Sequence, residues 1–330
     1  MKLVLSTLAL SLGLIAGASA QTKNTPAVVY DAGGKFDKSF NEAAYRGIER
    51  FKKETGQAYL EFEISNDTQR EQALRRMAQK GANPVIAIGF TQAPAVKKVA
   101  AEFPKTQFAI VDTVVDAPNV KSIVFRDEEG SFMVGALAAQ VTKSGKLGFV
   151  GGMDLPQIRR FECGYAQGAR HINPKIEVVG SMVGTTPSAW ADPARGAELA
   201  RSQFSRGVDV VFAAAGGTGL GIYQAAKDSG KYAIGVDSNQ NHLHPGTMLT
   251  SMVKRVDTAV FAAAKAVRDG DFKPGTQMMG LKDEGVEWAL DEHNQKLVTP
   301  AMKKKLDAIR ADIISGKIKI TDFVAKGSCN

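Results

Sequence analysis

The sequence predicts an α/β protein of two doubly wound lobes with a ligand cleft between them. Strand and helix patterns alternate almost without a break, the mark of βαβ units around mostly parallel sheets. Two such units follow one another with no Pro/Gly/Ser-rich linker, which suits lobes joined by crossing strands. Three short apolar runs also end on an aspartate: Ala27–Tyr30 before Asp31, Phe108–Val111 before Asp112, and residues 233–236 before Asp237. Runs this short and apolar read as buried parallel strands. In open α/β sheets, ligands bind in the crevice at the carboxyl ends of the strands.

In the first unit, the strand ending at Tyr30 leads through Gly33-Gly34 into a helix. There Phe40, Ala43, Ala44, Gly47, Ile48 and Phe51 recur at helical spacing. Ser39 and Glu42 have the spacing of a capping box at its start. Leu60, Phe62 and Ile64 alternate as a second strand, and a helix over about 68–80 stops at Gly81. Residues 85–90, 108–111 and 120–125 complete the unit. The second unit begins near Lys146 and continues through strands at 147–150, 176–182, 208–213 and 233–236, each followed by a helix-compatible stretch. Residues 247–270, a strand and then a helix, return to the first lobe. The tail, with a strand near 286–290 and a helix over about 300–315, returns to the second. The expected division is 1–20 as a leader, 21–127 with 249–280 as the N-terminal lobe, and 128–248 with 281–330 as the C-terminal lobe.

The leader is read from Met1-Lys2, the apolar stretch from Leu3 to Ala16 and the small residues ending at Ala20, the pattern of a cleaved secretory signal peptide. Position 21 is Gln, so no lipid-attachment cysteine follows the cleavage point and a soluble, unanchored periplasmic protein is expected. The chain carries 42 Lys and Arg against 34 Asp and Glu, a net charge of +8. The basic residues lie scattered (Lys52-Lys53, Arg75-Arg76, Lys97-Lys98, Lys303-Lys304-Lys305) without aromatic interleaving. That describes a solvated surface, and no nucleic-acid partner is expected. The only two cysteines, Cys163 and Cys329, would meet an oxidising compartment, where a bridge between them is feasible.

Carboxylates directed into a cleft accept hydrogen bonds strongly and repel anions. Asp31, Asp112 and Asp237 therefore favour an uncharged or cationic ligand rich in hydroxyl or amino donors; the rival reading for any single one is a cap on the following helix, and three independent caps with the same strand ending fit less well. Residues 216–221, Gly-Gly-Thr-Gly-Leu-Gly, follow a strand and open a helix but match neither the dinucleotide fingerprint nor the P-loop. Gly216 and Gly217 either let backbone approach a ligand closely or simply make a tight turn. Trp190 sits in a polar loop before a helix starting at Pro193. With Phe40 from the other lobe it can sandwich a flat ring, although Phe40 also fits its helix's apolar face. No G-x-S-x-G or H-E-x-x-H motif is present, and His242-x-His244 reads as an exposed loop. No catalytic residue, metal or cofactor is expected.

With these residues laid out, the chain resembles the basic membrane protein family, the purine-nucleoside-binding group of type I periplasmic binding proteins that serve ABC importers. The motifs are Asp31-Ala32-Gly33-Gly34 with Asp37-Lys38-Ser39-Phe40-Asn41, Phe108-Ala109-Ile110-Val111-Asp112, Ala215-Gly216-Gly217-Thr218-Gly219, Ile234-Gly235-Val236-Asp237 and Lys254-Arg255-Val256-Asp257. The resemblance implies one ligand held between closing lobes, with Asp31 and Asp112 on a base and Phe40 stacked on it. It places Asn41 in the same site, the Gly216-Gly217 backbone near a sugar, and Asp237 with Lys254 on ribose hydroxyls. Phe36 departs from the family, which often has an acidic residue there. The expected partners are a purine nucleoside or nucleobase and an inner-membrane ABC permease, with the protein itself a monomer. The alternatives are a binding protein for a sugar or sugar-like signal and an exported nucleoside-cleaving enzyme.

Overall fold

The computed structural model describes residues 24–329; the leader expected over 1–20 lies outside them. The first lobe runs β1 (Ala27–Tyr30), α1 (Phe40–Thr55), β2 (Leu60–Glu63), α2 (Gln69–Gln79), β3 (Val85–Ile88), α3 (Ala93–Glu102), β4 (Phe108–Val111) and β5 (Val120–Phe125). The chain then crosses to α4 (Asp127–Val141), β6 (Lys146–Met153), α5 (Pro156–Ile172), β7 (Glu177–Gly184), α6 (Pro193–Ser205), β8 (Val210–Ala214), α7 (Gly219–Asp228), β9 (Tyr232–Asp237) and β10 (Met248–Lys254). It ends with α8 (Val256–Asp269), β11 (Gly275–Met279), β12 (Val286–Trp288), α9 (Pro300–Ile314) and the short α10 (Phe323–Lys326).

Both sheets have six strands, in the orders β2-β1-β3-β4-β5-β11 and β7-β6-β8-β9-β10-β12. Every neighbouring pair is parallel except β10 and β12. The two lobes thus repeat one strand order, each reversing direction beside its first strand. Interior strands β1, β3 and β4 are buried along their whole length, as helices on both faces require, whereas edge strand β2 alternates half-buried Leu60 and Phe62 with exposed Glu61 and Glu63. Among the described residues no helix is long and apolar enough to cross a membrane.

The sequence places residues 249–280 together in the first lobe; the structure divides them at Arg255. β10 pairs with β9 and stays in the second sheet, and only α8, packed on α1, and β11, paired with β5, return to the first lobe. The repeat explains this. The position after β4 is already filled by β5, while β10 is the matching strand after β9, buried on both faces. At the start of α1, Ser39 is not a capping-box residue. The Asp37 carboxylate accepts the N–H groups of Ser39, Asn41 and Glu42 at 2.8, 3.0 and 3.1 Å, and the Ser39 hydroxyl turns to the other lobe.

Cys163 on α5 and Cys329 form a disulfide. The tail is also held to α5 by Arg160, bidentate on Asp322 at 2.7 and 2.9 Å, and by Gln167, which exchanges hydrogen bonds with the Thr321 backbone. The bridge spans 166 positions, so its loss should release a large loop in the unfolded chain. Reduction is expected to lower the unfolding free energy by about 2–4 kcal/mol, read from urea curves with and without reductant. Superimposable curves would show that the side-chain contacts hold the tail unaided.

Candidate ligand-binding site

The repeated strand order creates two switch points, beside β1 and β3 in one lobe and beside β6 and β8 in the other, and the carboxyl ends of these strands face one another. Between them lies a cavity lined by residues of both lobes. The first lobe contributes Asp31 after β1, Gly89 after β3 and Asp112 after β4, together with Asp37, Phe40 and Asn41 from the entry to α1. The second contributes Gly216 after β8, Asp237 and Lys254 at the ends of β9 and β10, Trp190, and Gln157, Ile158 and Phe161 from the first turns of α5. Asp112 and Asp237 both have left-handed backbone, with φ of 76° and 63°. Asp tolerates this conformation better than most residues, and such positions concentrate at functional sites.

Among the described residues lining the cavity Lys254 is the one cation, and it is 2 % exposed. Its Nζ lies 2.7 Å from Asp112 Oδ2 and 3.2 Å from Asp127 Oδ1, with the rings of Phe40, Phe125 and Phe161 each 5.3 Å away. Burial alone would drive off its proton, but Asp112, Asp127 and Asp237 outweigh that and raise its pKa above the ordinary lysine value. The pair with Asp112 crosses the cleft, since β10 and β4 belong to different sheets.

Other bonds also close the lobes. Ser39 Oγ donates to Asp237 Oδ2 at 2.6 Å, and Ser238 Oγ to the Ser39 carbonyl at 2.7 Å. Gln240 Nε2 donates to the Lys38 carbonyl at 2.9 Å, and Gln157 Nε2 to the Asp112 carbonyl at 2.9 Å.

Asp31 is held from behind. Its Oδ1 accepts the Ala32 N–H and Arg70 Nη2, and its Oδ2 accepts the Thr91 hydroxyl. Gly89, with φ of 104°, passes so close to this carboxylate that a Cβ there would overlap Asp31 Oδ2. A carboxylate has about four lone-pair directions, so one acceptor direction of Asp31 is left for a ligand. Asn41 also lines the cavity, but its amide is committed to backbone: Nδ2 donates to the Asp31 and Gly34 carbonyls and Oδ1 accepts the Asp31 N–H. Its role here is to shape the β1–α1 loop.

Trp190 lies flat against Gly152, where a Cβ would overlap the six-membered ring. Its turn is fixed by Thr218, whose Oγ1 donates to the Ala189 carbonyl and accepts the Asp192 N–H. Asp192 in turn caps α6 through the Arg195 N–H. Gly217, unlike Gly216, does not line the cavity. A Cβ on it would sit 3.2 Å from the Trp190 carbonyl oxygen and 3.8 Å from Asp37 Cβ, so it serves lobe contact. Phe36 is also outside the cavity, exposed and edge-on to Tyr45 at 5.2 Å. Away from the cleft, Asp291, Glu292 and His293 bring ligand-type atoms within 4.8 Å of one another. The Asp291 carboxylate is already taken by Asn239, Asn241 and the His293 N–H, so the group reads as a loop lock.

A family model described as "ABC transporter substrate-binding protein PnrA-like", the Bmp family, matches residues 24–323. The chain belongs to this family. It is 35% identical over 321 residues to the CD4+ T-cell-stimulating antigen of Listeria monocytogenes, covering 90% of this chain and 88% of that one. It is 34% identical to the ABC transporter nucleoside-binding protein BmpA of Lactococcus lactis, covering 92% and 91%. An ABC transporter solute-binding protein from Aeropyrum pernix superposes with a TM-score of 0.84 at 27% identity, covering 91% of this chain and 93% of that one. The two-lobed substrate-binding fold is therefore that of the family.

Of the residues expected at the site, the structure brings Asp31, Phe40, Asn41, Asp112, Trp190, Gly216, Asp237 and Lys254 to one cavity and leaves out Gly217. Sequence reasoning missed Asp37, Phe90, Gln157 and Phe161. A signal for Gln157 exists: α5 follows β6 as α1 follows β1, so its first turn faces the cleft as Phe40 does.

Burial, only partly relieved by Lys254 and the Ser39 hydroxyl, pushes the Asp237 carboxyl up to about 6 from 3.8; burial pushes Asp37 to about 6 as well. With the folded value above the unfolded one, native Asp237 binds more protons than the unfolded chain between those values. Its burial therefore destabilises the fold at neutral pH, and the penalty fades as pH falls through about 6 towards 4. Asp237→Asn is expected to melt a few degrees above wild type at about pH 7.5, with the gap closing by about pH 4. Calorimetric melts over that range check it, and a gap independent of pH contradicts it.

Proposed function

We propose that the chain captures a purine nucleoside or free nucleobase between its lobes and passes it unchanged to an inner-membrane ABC permease from the periplasm. The observation that carries this reading is the cavity's composition: aromatic rings from both lobes, Phe40 and Trp190 among them, with Asp31, Asp112 and Asp237 as acceptors and Lys254 as an ammonium donor. A flat heterocycle uses the rings, and N–H and O–H groups use the carboxylates. The nucleoside-binding name of the Lactococcus lactis relative supports the same class.

The deciding experiment is calorimetric titration of wild type and Trp190→Ala with a purine nucleoside, its free base and ribose. Wild type should bind the nucleoside, retain much of that affinity for the base and bind ribose very weakly. Trp190→Ala should lose about 2–4 kcal/mol of nucleoside binding through lost area and stacking. Ribose binding as tightly as the nucleoside would favour the sugar reading, and free base and ribose appearing on long incubation with nucleoside would favour the enzyme.

A nucleoside monophosphate should bind at least about tenfold more weakly than its nucleoside, because the nearby carboxylates dominate over distant surface lysines screened beyond about 8–10 Å. Equal affinities in the same titration would mark an anion site at Lys254 or the Gly216 turn.

A further inference from the structure

Asp127 is the first residue of α4 and is 1 % exposed. One of its oxygens lies 3.2 Å from Lys254 Nζ, and neither accepts a hydrogen bond from any described residue. The other charges acting on it are Asp112, which shares the same ammonium, and Arg160, which is bidentate on Asp322. Its neighbour Glu128 faces Arg160 at 3.7 Å and Arg126 at 3.8 Å. Burying a carboxylate with so little hydrogen bonding is costly. Burial raises the Asp127 pKa to about 7.

The division of the lobes gives this carboxylate a use. α4 packs on α5, β10, β12 and α9, so Asp127 and Lys254 belong to the same body, while Asp112 belongs to the other. When the lobes part, Asp112 leaves with the first sheet and Asp127 stays. We propose that Asp127 is a positioning residue for Lys254: with Asp237 on the adjacent strand, it is a counter-ion that keeps the ammonium charged and aimed while the cleft is open. An incoming ligand and the returning Asp112 then meet a donor already in place. Without it, Lys254 would keep Asp237 on the adjacent strand, with Phe161 still beside it, and would hold its proton less tightly in the open state. This rests on the reading that Lys254 serves a nucleoside in the cleft.

The test is a double-mutant cycle of Asp127→Asn and Lys254→Met, titrated calorimetrically with a purine nucleoside from about pH 8 to 9.5 in two buffers of different ionisation heat. Wild-type affinity should be nearly flat with pH. Asp127→Asn should bind about ten- to hundredfold more weakly at pH 8, weaken further as pH rises, and take up a proton on binding. In the Lys254→Met background Asp127→Asn should cause no additional loss. A variant with wild-type affinity and a flat pH profile, or losses that add across the cycle, would overturn the proposal. Should Asp127→Asn fail to fold, carbon NMR of labelled lysines in ligand-free wild type decides: Lys254 should titrate above the ordinary lysine value of about 10.4, and titration at or below it refutes the role. If wild type binds no nucleoside, the functional reading fails, while the NMR result still reports on Asp127.

Discussion

The ion pair between Lys254 and Asp112 ties the two halves of this molecule together at the floor of the cleft. A solvent-exposed pair would contribute little, but here the ammonium is buried against three aromatic rings, and losing Lys254 would strand the buried Asp112 and Asp127 carboxylates. Its placement follows from the chain path. β10 has to remain in the second sheet for Lys254 to reach across, and β4 has to end at the cleft for Asp112 to meet it. The crossings at Arg126 and Arg255 lie directly beside Asp127 and Lys254, so the charged cluster sits where the lobes are joined.

Around this pair the molecule gives up stability for chemistry. Asp37, Asp127 and Asp237 each carry a carboxyl whose pKa is raised by burial. Asp112 and Asp237 also take backbone conformations that side chains other than glycine disfavour. None of this helps a protein merely to fold. Each arrangement is held by surrounding bonds: Ser39 on Asp237, three backbone N–H groups on Asp37, and the lysine on Asp112. Strain and buried charge gathered at one cavity indicate a site kept ready for a partner rich in hydrogen-bond donors.

Much of the fold was legible because buried parallel strands are continuous apolar runs and their ends are marked by aspartates. The strand-end residues Asp31, Asp112 and Asp237 follow from that periodicity, and Trp190 from its place before Pro193. The return crossing was less legible. Periodicity identifies β10 as a strand but carries no information on which sheet it joins, and only the repeated strand order decides. Ser39 shows another limit, since a hydroxyl with capping-box spacing found a carboxylate contributed by a residue nearly two hundred positions away. Asn41 lies in the expected place, yet its amide is taken up by backbone, which no linear pattern reveals.

The contact of Trp190 with Gly152 seats the indole that lines the cavity directly on the main chain of β6. The gap available to a flat guest is thus set by the course of β6, not by the bulk of a side chain. A single methyl at position 152 would displace the ring while every hydrogen-bonding group kept its identity. The pocket would then sort molecules by thickness before it sorted them by polarity, and related chains could diverge in what they carry through this one backbone position.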